Sequence, residues 1–455
     1  MLATALPGTA SAADNPVPQG ASQAHDQKII ARVDAERAIA HIRALSEGVG
    51  PRPGGTEWEW AGARYIGSTL ESYGYSVEYQ SFPVANQYIG HMSLPDGITW
   101  MTGASTRGAF TDDAPITGGL VDARSGQATD YPEDVTGKIL LMTAGSSATA
   151  RNTQVTLAVN RGAVGVLLIN TAGARGAKAG ANNPSLSVDV AVPVLGVGQA
   201  HGEWLRARLA GGEFDLTIRN KVHANLQSVN VIATRPASTD AADSPVVVVG
   251  AHLDSVVGAP GANDDASGVA LGLELARVMK SYNTDKELRF GFWGSEERGL
   301  LGARHYVNQL SDAEASRIVA MFQADMVATS HLGATHLYAM TNDGQTNLVT
   351  DAATAAGARL GDSSILPGRF GSSDHVPFAQ RGIPAALFIW MHVASWSPLV
   401  YEIEPIYHTP EDTIELNISA ERMQTALNIV GAAVFDVVRK PVPALDLRPE
   451  PVLVP

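Results

Sequence analysis

The sequence predicts an α/β fold, a doubly wound, mixed and mainly parallel sheet flanked by helices, with a smaller α+β domain inserted into it. Three observations predict it. Val246-Val247-Val248-Val249 is apolar at every position, which suits a parallel strand buried on both faces. From Ser228 onward such runs alternate with helical spacing in the order strand, crossover, helix, strand, the order of βαβ units. Between about residues 110 and 222 the texture changes to turns rich in Gly, Thr and Asp with short hydrophobic runs, which marks a compact insert.

The elements follow in chain order. Leu2 to Ala13 is small and apolar and ends in Ala10-Ser11-Ala12, the A-x-A pattern of signal-peptide cleavage, although the basic n-region is missing. Residues 1–27 are therefore expected to be a residual signal peptide or a disordered leader, Met1 standing inside a longer leader or at a truncated start, and the protein to be exported. Ala35, Ile39, Ile42 and Leu45 share one face of a helix that stops at the Gly/Pro-rich stretch 48–55. A second helix is expected over 59–73, then strands at 76–82 and 88–94. In the insert, strands are expected at 137–142, 163–170 and 192–197, with helices at 154–161 and 200–210. Beyond it come strands at 229–233, 245–252, 288–294 and 318–326, a helix at 266–282 and a last helix at 419–438. The expected division is 28–109 and 223–440 for the larger domain, 110–222 for the insert and 441–455 for a Pro-rich tail.

Composition narrows the function. The chain has 455 residues, enough for two or three domains at ~150 residues each. Its 32 Lys and Arg against 46 Asp and Glu give a net charge of −14, which repels nucleic-acid phosphates and anionic bilayers. Nucleic acid and membrane are not expected partners, and no window reaches the ~20 apolar residues of a spanning helix. With no cysteine, disulfides, thiol nucleophiles and thiolate ligands are excluded, so any metal must be held by His, Asp or Glu. No G-x-S-x-G elbow is present for a Ser-His-Asp hydrolase.

Open α/β sheets place their sites at the carboxyl ends of the strands, and metal-type residues stand at nearly every such end here. His252 and Asp254 are two apart, on one face if the strand continues, a spacing by which a carboxylate orients an imidazole. Asn263-Asp264-Asp265 precedes a helix, where an acid can bridge metals, although a triplet of this kind by itself more often caps the helix. In Ser295-Glu296-Glu297 one glutamate can ligate while its neighbour faces a bound water, and acids after Ser also begin ordinary helices. Asp325 ends a very apolar strand, where an unpaired charge is costly and calls for a cation. Ser373-Asp374-His375 and Tyr407-His408-Thr409 each set a His beside polar groups.

As an ordered set, Gly250-Ala251-His252-Leu253-Asp254-Ser255, Gly261-Ala262-Asn263-Asp264-Asp265-Ala266-Ser267-Gly268, Trp293-Gly294-Ser295-Glu296-Glu297, Ala324-Asp325-Met326, Ser373-Asp374-His375 and Tyr407-His408-Thr409 resemble one family. It is that of the co-catalytic di-zinc exopeptidases of the aminopeptidase Y and bacterial leucyl aminopeptidase type, the clan MH zinc peptidases, and the resemblance covers most of residues 35–438. It implies two Zn2+ per chain, one held by His252 and Asp325, the other by Glu297 and His408, with Asp264 bridging. It further implies that Asp254 orients His252, that Glu296 is the general base, that Tyr407 donates to the oxyanion, and that the Asp264–Asp265 peptide bond is cis. Three N/O ligands per ion suit zinc and leave a position open for water. The activity implied is an aminopeptidase acting on peptide or protein N-termini, with a monomer expected.

The insert resembles a protease-associated domain through Asp134-Val135-Thr136-Gly137-Lys138-Ile139, Gly162-Ala163-Val164-Gly165-Val166 and Val192-Pro193-Val194. It is expected to be either a lid on the cleft or an accessory domain without contact to substrate. Phe370, Phe388, Trp390, Trp396 and Tyr401 are candidates for an apolar pocket favouring large N-terminal residues such as Leu, core packing being the alternative for Phe388 and Trp390. A carboxypeptidase or dipeptidase of the same family is the rival enzyme, with Arg369 or Arg381 to receive a free carboxylate. A one-zinc glutaminyl cyclase and a non-catalytic binding protein of the same fold are more distant rivals, because the ligand set is complete.

Overall fold

The computed structural model describes residues 19–173, 177–238 and 243–439. The larger body is built on a mixed sheet whose strands lie side by side in the order Ser76–Pro83, Gln227–Arg235, Glu287–Trp293, Val246–His252, Ile318–Ala324, Ala385–Trp396, His336–Thr341 and Ile365–Arg369. The strand Leu399–Glu402 adds to the outer part of Ala385–Trp396. The middle of the sheet, from Glu287–Trp293 to Ala385–Trp396, is parallel, as is the pair His336–Thr341 and Ile365–Arg369.

The remaining pairs are antiparallel, so the sheet is half parallel rather than mainly so. For the first of these pairs the reason lies in the insertion. Ser76–Pro83 leads toward the insert and Gln227–Arg235 returns from it, and a chain that leaves and re-enters a sheet at one place does so as an antiparallel pair.

Both faces of the sheet are covered. Val247, Val249, Phe290, Phe292 and Phe322 join one core with residues of the helices Ala35–Arg43, Glu57–Ser72, Ala266–Met279, Leu348–Leu360 and Ala420–Arg439. The alternate residues Val246, Val248, Trp293 and Met321 point the other way, into a core with Ala303, Tyr306 and Val307 of Leu301–Gln309 and Phe378 of His375–Gln380. This two-sided burial is why the valine run carries no polar position.

The insert is a closed barrel of seven strands in the order Gln87–Ser93, Thr99–Ala104, Val194–Val197, Gly165–Ile169, Ile139–Thr143, Ile116–Asp122 and Asp215–His223, with helices Ala148–Asn160 and Gln199–Leu209. Closure leaves no free edge. Two of its strands precede residue 110, where the sequence places the boundary. Gln87–Ser93 pairs with Thr99–Ala104 on one side and Asp215–His223 on the other, and Met92 and Ala104 are buried in the barrel core. The closing strand comes from near the far end of the insert, a partner that a local change of texture does not reveal.

A second difference lies at the N-terminus. Residues 1–18, including the leader-like stretch, lie outside the described residues, as do 440–455. Gln19–Ile30 is a helix, so the expected boundary at 27 cuts through a packed element. Ile29 is buried in the main core, and the buried Asp26 accepts hydrogen bonds from Arg359 Nε at 2.7 Å and Nη2 at 3.0 Å. Among the described residues no helix is long and apolar enough to cross a membrane.

Asp26→Ala removes one half of this bidentate pair and leaves the partly buried Arg359 guanidinium with only the more distant Asp436, at 3.7 Å, as an ion-pair partner among the described residues. It is expected to lower unfolding stability by about 2 kcal/mol, read as a lower urea midpoint at unchanged slope. An unchanged midpoint would mean that the helix only rests on the domain.

Candidate active site

The residues singled out at the strand ends converge at the carboxyl end of the parallel strands. His252 ends its strand, Asp264 precedes the helix Ala266–Met279, Glu296 and Glu297 form the turn after Glu287–Trp293, and Asp325 follows Ile318–Ala324. Tyr407 and His408 come from the loop between Leu399–Glu402 and Ile414–Asn417. Asp264 sits between the two histidines, with Oδ1 3.0 Å from His252 Nε2 and Oδ2 3.1 Å from His408 Nε2. Asp325 Oδ1 is 3.7 Å from His252 Nε2, and Glu297 Oε2 is 3.1 Å from His408 Nε2. The result is two donor clusters, His252 with Asp325 and His408 with Glu297, that share one carboxylate. The Asp264–Asp265 peptide bond is cis.

These donors fit a cation. Asp264 Oδ2, Asp325 Oδ1, Glu297 Oε1 and His408 Nε2 are buried and have no hydrogen-bond partner. Orphaned acceptors of this kind are costly unless a cation meets them. Nitrogen and carboxylate oxygen donors without sulfur match the ligand preference of zinc. Asp265 also lies close to His252 and Asp325, near enough to count as a possible donor. Its oxygens, however, are already used, Oδ2 by the His252 backbone N–H at 3.0 Å, Oδ1 by the N–H groups of Gly268 at 2.7 Å and Met326 at 3.3 Å. Asp265 is thus the helix cap that the sequence allowed for, while Asp264 faces the site.

Around the donors stands a layer of buried polar groups that fixes the loops. Asp254 Oδ1 accepts the Glu296 N–H at 2.9 Å. It is 3.6 Å from His252 Nδ1, whose nearer acceptor is the Asp254 carbonyl at 3.2 Å. Residue 254 therefore meets the imidazole mainly through its backbone and the Glu296 turn through its side chain. Glu59, unnoticed in the sequence, accepts from Gly55 N, Ser228 Oγ and Ser295 N at 2.7, 2.8 and 2.9 Å, and its burial, with Asp254 nearby, pushes its carboxyl up to about 8. Asp412 accepts the N–H groups of Asn263 and Asp264 at 2.9 and 3.1 Å. Arg52, fully buried, donates to the carbonyls of Leu45, Gly50, Leu253, Pro260 and Gly261. An arginine flanked by prolines in a glycine-rich turn was the signal that could have found it.

Asp374 was quoted in the sequence only as part of a motif. It is buried, both its oxygens lack partners, and burial together with Asp254, Asp325 and Glu297 holds its carboxyl well above the usual range. The neighbouring His375 is structural, its Nε2 lying 2.8 Å from the Phe370 carbonyl.

The donors open on a cavity of about 440 Å³ whose apolar wall is Leu300, Met326, Phe370, Ile389 and Ile403. Of the five aromatics expected to line it, only Phe370 does. Tyr401 stands behind Phe370 with ring centroids 5.3 Å apart, Phe388 and Trp390 lie in the sheet core, and Trp396 is largely exposed. Arg381 is paired with Asp312, and neither it nor Arg369 lines the cavity. The lining cation among the described residues is Arg304, whose Nε donates to the Gly299 carbonyl at 3.1 Å. Glu296 lines the cavity as well, and burial, reinforced by Asp374, Glu297 and Asp325, holds its carboxyl well above the usual range. The ring of Tyr407 stacks on His408 at 3.6 Å, and burial with the surrounding carboxylates raises its phenol, which stays protonated.

Comparison with known proteins agrees with this geometry. Residues 230–434 match Peptidase family M28 and residues 116–205 match the PA domain. Aminopeptidase YwaD of Bacillus subtilis (strain 168) is 38% identical over 411 residues, 89% of this chain and 85% of that protein. The probable lipoprotein aminopeptidase LpqL of Mycobacterium tuberculosis is 31% identical over 444 residues, 89% of this chain and 84% of that protein. Among solved structures, BSAP, a zinc aminopeptidase from Bacillus subtilis, matches with a TM-score of 0.63 at 37% identity, over 90% of this chain and 96% of that one. Identity at this level along nearly the whole of both chains shows that this chain belongs to Peptidase family M28, with a PA domain inserted in it.

Proposed function

We propose that this chain is a zinc-dependent aminopeptidase that releases N-terminal, large hydrophobic residues from peptides. The observation that carries the proposal is Asp264, whose two oxygens each meet a different histidine while the neighbouring acceptors Asp325 Oδ1 and Glu297 Oε1 have no partner. Two zinc ions per chain would satisfy that set: His252 and Asp325 would hold one, His408 and Glu297 the other, and Asp264 would serve both. Bound zinc supplies Lewis acidity toward a peptide carbonyl and lowers the pKa of water toward ~7.

The chain's own groups do the rest. Glu296 has its backbone tied to Asp254 and its carboxyl free in the cavity, which suits a base that takes a proton from the attacking water and returns it to the leaving amine. Tyr407, kept protonated and lining the cavity, suits the role of donor to the developing oxyanion. Phe370, Met326, Ile389 and Ile403 form a wall for an apolar side chain.

The fold supports the same reading. The site stands where a doubly wound sheet puts its ligand, outside the carboxyl ends of the strands. Export is supported by the leader-like N-terminus and by the similarity to a probable lipoprotein aminopeptidase.

Glu296→Gln is expected to keep both zinc ions by elemental analysis and to lose kcat by about 10²–10⁴-fold, whereas Glu297→Ala loses metal. Full activity in Glu296→Gln would sink the proposed mechanism. Leucine-p-nitroanilide should be cleaved and its N-acetylated form should not, while two zincs without cleavage of the free amine would favour the carboxypeptidase. Phe370→Ala should cut kcat/KM for leucine substrates roughly 10-fold and spare alanine substrates more, and an equal loss on both would remove Phe370 from the side-chain pocket.

A further inference from the structure

We propose that the inserted barrel positions a metal ligand: its segment 177–181 clasps the loop that carries His408 and sets the place of that histidine. The inference rests on the di-zinc reading above and adds a role for the insert that is neither a lid nor a detached accessory.

The clasp has three parts. Lys178 donates its backbone N–H to the Pro405 carbonyl at 2.7 Å, and its Nζ reaches both oxygens of Glu411 at 3.0 and 2.7 Å. The two contacts fall three residues before and three residues after His408, so they hold the loop on both sides of the ligand. Between them Gly180 passes directly over His408. A Cβ built on Gly180 would lie 1.9 Å from the His408 carbonyl oxygen, so any side chain there must displace the loop. Ala177 completes the contact, buried in one apolar cluster with Met326, Phe370 and Ile403, against which Tyr407 packs.

The clasp is itself anchored to the barrel. The Gly180 carbonyl accepts from Asn170 Nδ2 at 2.9 Å, just past the strand Gly165–Ile169, and the Ala179 carbonyl accepts from Gln199 N at 2.7 Å, at the start of the helix Gln199–Leu209. A rigid strand and a rigid helix thus stand behind three residues.

His408 needs such support. It has φ 61°, a left-handed conformation that a non-glycine residue holds only when its surroundings fix it. The larger domain anchors the two ends of this loop, Asp412 taking the N–H groups of Asn263 and Asp264 and Glu404 taking Nδ2 of Asn263 and of Asn417. The barrel holds the stretch between them, at Pro405, His408 and Glu411. His252 and Asp325, by contrast, are placed by the sheet and its own loops, through Asp265 and Ser373. Loosening the clasp therefore acts first on the metal position that His408 holds. The Lys178–Glu411 pair is partly exposed, 38% and 28% by side chain, and adds little to global stability, so its loss is readable apart from unfolding.

The test is a competition titration of the zinc-loaded full chain with a chelator, which yields two dissociation constants, beside the absorption spectrum of the cobalt-substituted protein. In Lys178→Ala and Gly180→Ala one constant is expected to weaken roughly 10–100-fold, with a changed cobalt spectrum, while the other constant and the melting midpoint stay near wild type. The charge-swapped pair Lys178→Glu with Glu411→Lys should recover most of the Lys178→Ala loss. Two unchanged constants in both single variants would overturn the clasp, as would a parallel weakening of both constants together with a lower melting midpoint. A wild-type chain that binds no second zinc overturns the di-zinc reading itself, which a two-zinc wild type with unchanged variants leaves standing.

Discussion

Buried negative charge at the carboxyl ends of the central strands is the constraint on which the rest of this structure depends. Asp264, Glu296, Glu297, Asp325 and Asp374 converge on two histidines, and burial holds Glu296, Glu297 and Asp374 above the ordinary carboxylate range. For His252, burial works against the imidazolium, but Asp254, Asp264 and Asp325 outweigh it and raise its pKa well above the usual value. A fold under pressure for stability alone would not gather these groups in one place, because each buried carboxylate costs several kcal/mol of desolvation, on the order of the stability of a whole domain when summed. A pair of divalent cations reverses the sign of that arrangement.

The acids divide by whether their oxygens are already taken. Asp265 and Asp412 accept backbone N–H groups and are scaffolding, and Glu59 accepts from Gly55, Ser228 and Ser295 in the same way. Asp264, Asp325 and Glu297 keep oxygens that meet no donor. Adjacent acids in the chain fall on opposite sides of this division, Asp264 against Asp265, because the backbone turns between them and sends one carboxylate into the cavity and the other back under the helix. A substitution in the scaffolding set is felt at the site through the loops, and one in the open set through the donors themselves.

What was legible in the sequence was whatever a strand end expresses locally. The run into His252, the Glu-Glu turn and Asp325 each end or closely follow a strongly apolar strand, and Asp264 and Asp265 directly precede the apolar helix Ala266–Met279, so the element and its functional end could be read together. His408 stands at no strand end and came from the family resemblance. Pairing partners were less legible. Nothing near Asp254 says that its carboxylate, 3.6 Å from the imidazole two residues back, also takes the N–H of Glu296, 42 residues on. The closing strand of the barrel, the direction of half the sheet and the docking of Gln19–Ile30 have the same origin, since each is decided by a partner far away in the chain. Arg52 and Glu59 were missed for a related reason. A buried charged side chain has no periodicity of its own, and its meaning appears only when the loops it ties together are in place.

The backbone records the effort of holding the site. Ser295, Leu300, Met326 and His408 all have φ between 53° and 61°, and all stand at or beside the cavity. Each such turn costs ~1–2 kcal/mol for a residue with a side chain. Glycine would adopt these angles freely, but glycine has no imidazole for a metal and no apolar surface for a substrate. The strained turns persist because specific groups fix them: Glu59 takes the N–H of Ser295, the Glu296 carbonyl that of Leu300, Asp265 that of Met326, and the barrel segment covers His408. The scaffolding acids are themselves buried and costly, and the turns they hold are where the side chains that meet metal and substrate begin. Strain at the turns and charge beneath them are therefore one requirement seen twice, a set of donors aimed at a fixed point before any ligand arrives.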